Sequence, residues 1–292
     1  MPSLADEREN LVTTSWLEQH LDAPDIVILD CSYYLPDARR DARAEYNEQH
    51  IPGAMFFDID EISDPESSLP HTMPSPEMFA SRMRKMGIGD GMRIIVYDGA
   101  GLFSAARVWW MFRTFGKTDV AILDGGFPKW LAEGRIIEDM PPAKRIERHF
   151  TARLQASNTR NKSEVLDAVS DGMPQIADAR SPARFLAQEP EPRAGMRGGH
   201  MPGAINVHYR TLINEDGTLK SLEKLKDVFN DAGIDMTKPV ITTCGSGVTA
   251  AILTLGLTML GHNSLSLYDG SWAEWGSDPD TPIETGQGHV PK

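Results

Sequence analysis

His50-Ile51-Pro52-Gly53-Ala54 returns 150 residues later as His200-Met201-Pro202-Gly203-Ala204, and this repeated pentapeptide decides how the rest of the chain is read. Upstream of it, Ile28-Leu29-Asp30 parallels Ile176-Ala177-Asp178. Downstream, Ile94-Ile95-Val96-Tyr97-Asp98-Gly99-Ala100-Gly101 aligns with Val240-Ile241-Thr242-Thr243-Cys244-Gly245-Ser246-Gly247. Further on, Leu123-Asp124-Gly125-Gly126 with Trp130 aligns with Tyr268-Asp269-Gly270-Ser271 with Trp275. Four matches in one order, at offsets between 145 and 150, describe one fold used twice.

Each copy alternates short β-branched runs with helical stretches, which is the pattern of βα units around a parallel sheet. Strands are expected near 26–29, 93–97 and 120–123, then near 175–177, 239–243 and 264–267. Helices are expected near 75–86 and 104–114, then near 162–171, 221–231 and 248–260. The stretch after Glu138 carries two adjacent prolines and little apolar period, so it reads as a linker. The expected organisation is an α/β domain over 1–140, a linker over 141–161 and a second α/β domain over 162–292, each with a parallel sheet flanked by helices.

The 292 residues, 40% hydrophobic and 24% charged, suit two globular domains. With 29 basic against 42 acidic residues the net charge is −13, which repels a phosphate backbone and argues against nucleic acid as a partner. An anionic ligand therefore needs a local cationic site. The apolar run 250–260 is too short to cross a bilayer, so no membrane partner is expected. Met1 to Glu9 is acidic and shows neither a signal nor a transit pattern, and two cysteines make no disulfide framework. Both points favour a reducing, cytoplasmic setting with free thiols.

The two copies differ most usefully at the end of the central strand, where one has Asp98 and the other Cys244. In open α/β sheets ligands bind at the carboxyl ends of strands. A thiol there, followed by Gly245-Ser246-Gly247-Val248-Thr249, sits below backbone amides and the positive end of the next helix, a setting that favours the thiolate. The plain alternative is a small buried core cysteine. A second alternative is dinucleotide binding, because residues 245–250 formally fit G-x-G-x-x-A. The acidic residue that motif needs would be Asp269, which the repeat assigns instead to a turn shared with Asp124. Phosphate-binding loops of the Walker type and paired-cysteine zinc motifs are absent from the sequence, and neither cofactor nor metal is expected.

The duplicated domain, the His-x-Pro-Gly-Ala turns, the Cys-Gly-Ser-Gly-Val-Thr loop of 244–249, and Asp269-Gly270-Ser271-Trp272 with Trp275 together resemble the tandem rhodanese-domain sulfurtransferases. The resemblance runs from about Leu11 to Gly276. It is closest to the branch that uses 3-mercaptopyruvate; the thiosulfate-using branch usually carries basic residues inside the loop, and here the loop is neutral. What this implies is transfer of sulfur through a persulfide on Cys244, with release of pyruvate and delivery to a thiol acceptor such as thioredoxin or a low-molecular-weight thiol, or to cyanide. The alternatives are a thiosulfate sulfurtransferase and a non-catalytic rhodanese-like sulfur carrier.

The same resemblance assigns Arg184 and Arg193 to the carboxylate and ketone of the keto acid, and arginine suits a carboxylate because its planar fork donates two parallel bonds. Amides of Gly245, Gly247, Val248 and Thr249 would line the anion site. Ser246 resembles the serine of a Ser-His-Asp relay, with His71 and Asp60 as partners from the first domain. His50 and His200 occupy matching turns and read as structural, bonded to the backbone of the Pro-Gly bend. Trp109, Trp110, Trp130 and Trp275 read as packing residues and Cys31 as a buried small residue.

Overall fold

The computed structural model describes residues 10–35 and 38–286, so the acidic start and the last residues of the tail lie outside the described residues. Two compact units are present. The first contains the described residues up to Pro65, Met73–Gln155 and Asn214–Leu219; the second contains Glu66–Thr72, Ala156–Ile213 and the described residues from Lys220 onward.

In the first unit, the apolar run Ile26–Asp30 forms β2, with every residue buried, as expected for a parallel strand covered on both faces. It pairs with β4, Arg93–Tyr97, which pairs with β5, Val120–Leu123. Two-residue strands β1, Leu11–Val12, and β3, Met55–Phe56, complete an all-parallel sheet in the order β1-β5-β4-β2-β3. Helices α1 (Thr14–Glu18), α2 (Ala42–Glu48), α3 (Pro76–Lys85), α4 (Ala105–Thr114) and α5 (Gly126–Ala132) join the strands. Ser75 caps α3 by accepting from the Met78 amide, with proline in its first turn.

The second unit repeats the plan. β6 (Thr159–Arg160), β7 (Gln175–Asp178), β8 (Ile205–Asn206), β9 (Val240–Thr243) and β10 (Leu265–Tyr268) stand in the order β6-β10-β9-β7-β8, strand for strand the same parallel sheet. Its helices are α6 (Lys162–Asp171), α7 (Pro182–Phe185), α8 (Leu222–Ala232), α9 (Ala250–Met259) and α10 (Ser271–Trp275). β9 is central, and the helix that follows it, α9, is apolar on nearly every face and buried over eight residues. The cysteine loop therefore leaves the middle of the sheet.

The expected linker is more structured than its composition implied. Phe150 is buried against Phe79 and Phe112, and the amides of Arg153 and Gln155 donate to Phe115 O (2.8 Å) and Thr114 O (2.7 Å). Its far end, Thr159–Arg160, is an edge strand paired with β10. The two histidine turns also differ in detail from expectation. Nδ1 of His50 donates to Tyr46 O (2.7 Å) and Nδ1 of His200 to Phe185 O (2.8 Å), so each ring anchors the preceding helix and not the Pro-Gly bend. Each ring also stacks on that same aromatic residue. Trp109, Trp110, Trp130 and Trp275 are buried. Among the described residues no helix is long and apolar enough to cross a membrane.

Candidate active site

β9 ends at Thr243, and Cys244 to Thr249 turn the chain into α9. Gly247 takes φ +77°, a left-handed conformation that glycine adopts without strain. Cys244 is 2% exposed, and Ser246, Gly247 and Val248 are buried with it. The Asp-Gly-Ser-Trp stretch braces the base of the loop: the amides of Trp272 and Ala273 donate to Cys244 O and Gly245 O (both 2.9 Å). Ser271 Oγ accepts from the Cys244 amide (3.4 Å) and donates to Tyr268 O (2.8 Å).

The first unit shows what such a loop holds. Asp98 follows β4 as Cys244 follows β9, and its carbonyl accepts from Phe127 N in the first turn of α5 (3.0 Å), as that of Cys244 accepts from Trp272 N in α10. Its carboxylate points back into its own loop, where Oδ1 accepts from Ala100 N (2.9 Å) and Oδ2 from Phe103 N (2.7 Å) and Ala105 N (2.9 Å). One copy of the loop thus wraps three amides around an anion carried by its first residue, at the positive end of α4. In the other copy that residue is a thiol.

Arg184, in α7, sits beside this loop. A methyl group on Gly245 would stand 3.0 Å from its Nη2. Ser181 caps the short helix, accepting from the Arg184 amide (3.4 Å), and proline occupies the first turn. The side chain is 17% exposed and bonded to Glu191 Oε2 through Nε (3.2 Å) and through Nη2. It is not a solvated loop arginine. Glu191 Oε1 accepts from Arg180 Nη1 (2.7 Å), and both of those side chains are 0% exposed. Arg180 in turn grips Asp178 through Nε (3.0 Å) and Nη2 (2.6 Å), reaches Gly199 O (2.8 Å), and lies over the Trp272 ring at 4.1 Å. Arg180 and Glu191 were not singled out from sequence. Asp178-Ala179-Arg180 directly after a strand was the available signal, and nothing in the spacing told that Glu191 is buried.

Arg193 belongs to the same polar segment, which borders an open hollow of about 660 Å³ lined in part by Gln188, Glu189, Arg193 and Met196. Arg193 Nη2 lies 3.3 Å from His71 Nε2. A guanidinium only donates, so Nε2 of His71 is the acceptor of this hydrogen bond. His71 is buried, with φ +60°, and is grouped with the second unit, as Ser246 is. Asp60 is carried by the first unit, is exposed, and its amide donates to Asp58 Oδ1 (3.0 Å). Cys31 is fully buried; burial, with Asp30 and Asp98 nearby, pushes its thiol well above the ordinary range. Among the described residues no group of three or more His, Cys, Asp or Glu side chains is placed to hold a metal ion.

The rhodanese-like domain model matches the chain twice, over residues 13–133 and 161–278. The chain is 43% identical over 274 residues to the 3-mercaptopyruvate sulfurtransferase of Escherichia coli strain K12, covering 94% of this chain and 97% of that protein. It is 41% identical over 297 residues to thiosulfate/3-mercaptopyruvate sulfurtransferase 1, mitochondrial, of Arabidopsis thaliana, covering 95% of this chain and 78% of that one. The crystal structure of a 3-mercaptopyruvate sulfotransferase of Escherichia coli superimposes with a TM-score of 0.82 at 42% identity, over 90% of this chain and 98% of that one.

Proposed function

Because this chain belongs to the rhodanese-like domain family, we propose that it is a sulfurtransferase that takes sulfur from 3-mercaptopyruvate on Cys244 and passes it to a thiol. The observation that carries this reading is the paired loop: the amides that hold the Asp98 carboxylate in one unit are matched, in the other, by a loop whose first side chain is a nucleophile. The Cys244 thiolate attacks the sulfur of the substrate. The carbon–sulfur bond breaks, its electron pair remains on carbon as the enolate of pyruvate, and Cys244 keeps the sulfur as a persulfide. The loop amides of Gly245, Gly247, Val248 and Thr249 suit both charged forms, because a thiolate becomes a persulfide anion at nearly the same place.

Arg184 and Arg193 meet the carboxylate and ketone of the substrate, and they supply the local positive charge that a protein of net charge −13 needs. Ser246 and His71 are the groups that pass the proton of the transferred sulfur to the enolate carbon, which leaves pyruvate and the Cys244 persulfide anion. Asp60 is carried by the first unit. The second half-reaction is attack of an acceptor thiolate, from thioredoxin or a small thiol, on the outer sulfur, which returns the Cys244 thiolate and yields the acceptor persulfide. The two cysteines, both free, fit a reducing compartment such as the cytoplasm. The test is pyruvate release from 3-mercaptopyruvate compared with sulfite release from thiosulfate. Faster turnover of thiosulfate would replace the substrate assignment, and turnover of neither would leave a binding module.

A further inference from the structure

Four charged side chains run from the sheet to the cysteine loop in one line: Asp178, Arg180, Glu191 and Arg184. Their formal charges cancel in pairs. Arg180 and Glu191 are fully buried, and each is held at both ends, Arg180 by Asp178 and Glu191, Glu191 by Arg180 and Arg184. Arg184, the last member, has some exposure and reaches Gly245. Glu191 occupies the Nε–Nη2 edge of its guanidinium, so a ligand must meet the Nη1–Nη2 edge. A long arginine side chain at a loop would otherwise sample many rotamers, and a buried carboxylate that is itself bonded at its second oxygen removes that freedom.

We propose that Glu191 is the positioning residue of this site: anchored through Arg180 to Asp178, it fixes the Arg184 fork against the cysteine loop so that a substrate carboxylate meets it without reorganisation. The inference rests on the sulfurtransferase reading for the identity of the substrate, but the positioning itself has a readout that does not.

A double-mutant cycle tests it, using Glu191→Gln, Arg184→Ala and the pair in the full-length protein. Two measurements are made: kcat and KM for pyruvate release, and the rate of alkylation of Cys244 by iodoacetate relative to iodoacetamide, which compares an anionic probe with a neutral one. Glu191→Gln leaves Arg180 and Arg184 facing each other without their shared anion, and the more exposed Arg184 moves away. The expected result is a fall in kcat/KM of ~10-fold or more, carried mainly by KM, and a lower iodoacetate-to-iodoacetamide ratio. In the Arg184→Ala background the same change should cost less than ~2-fold, because Glu191 then has no fork to place. An equal penalty in both backgrounds, or an unchanged alkylation ratio, overturns the proposal. Should Glu191→Gln fail to fold, Glu191→Asp keeps the charge but shortens the reach, and a ratio between wild type and Arg184→Ala is expected from it; a wild-type ratio overturns the proposal. If the wild-type protein releases no pyruvate, the substrate assignment fails, while the alkylation ratio still reads the positioning.

Discussion

The guanidinium of Arg184 lies so close to Gly245 that a single methyl group on that glycine would stand 3.0 Å from Nη2. The residue after Cys244 is therefore small because a cation lies against it. Gly245→Ala should fold, since the crowding atom is the end of a side chain, yet it should push Arg184 off its place. Losing part of a charge-assisted bond, ~1.5–3 kcal/mol when complete, predicts a fall of roughly tenfold in kcat/KM for 3-mercaptopyruvate. Steady-state kinetics beside a melting curve checks this, and full activity in the variant would show that the contact is loose.

Cys244 and Cys31 are both buried, and Cys244 opens the turn between β9 and α9. Cys31 Sγ donates to Leu29 O (3.6 Å), and burial beside Asp30 holds its thiol protonated. Substrate added without acceptor should add one sulfur, ~32 Da, to Cys244 alone, and Cys244→Ser should abolish transfer while leaving the fold intact. Peptide mass spectrometry locates the added sulfur, and its appearance on Cys31 would contradict the assignment.

The two arginines predict donor selectivity. Arg184→Ala or Arg193→Ala removes a fork suited to a carboxylate, so kcat/KM for 3-mercaptopyruvate should drop by ~10- to 100-fold and that for thiosulfate by much less. Equal losses on both donors would mean that the arginines serve the loop and not the keto acid.

Much of this was legible in the chain because duplication makes a sequence its own comparison. The strands 93–97 and 120–123 and the helix 162–171 stand where alternation and β-branching put them, and α6 is fixed by a capping box between Asn161 and Glu164 and by Gly172 at its end. The four two-residue strands were not legible, since two residues carry no period and an edge position is set by partners distant in sequence. The turn that Cys244 opens, between β9 and α9, was legible from its glycines and the flanking strand and helix patterns. Glu191 was not, because its burial depends on Arg180 and Arg184, and ion pairs between neighbouring loops leave no spacing to read.

Asp30 gives a prediction about pH. Burial, with the Asp98 charge nearby, raises its carboxyl from 3.8 to about 6, against the opposing hydrogen bonds of Ser32 and Tyr97. Above about pH 6 the carboxylate is charged in both folded and unfolded chains, and its burial costs stability. Between about 6 and 3.8 the folded chain takes up the proton while the unfolded chain stays ionised, so this cost disappears as pH falls through that window. Asp30→Asn should therefore stabilise the protein at about pH 8, by up to roughly 3 kcal/mol, and the gain should shrink toward zero at about pH 4. Asp124, raised to about 6 by burial and set by Leu219, Asp216 and Lys129 with no contribution from Asp30, cancels in the difference. Denaturant unfolding of wild type and variant at both pH values measures it. A variant less stable than wild type at the higher pH would show instead that the Asp30 charge is needed, held by Tyr97 and Ser32 at the end of β2.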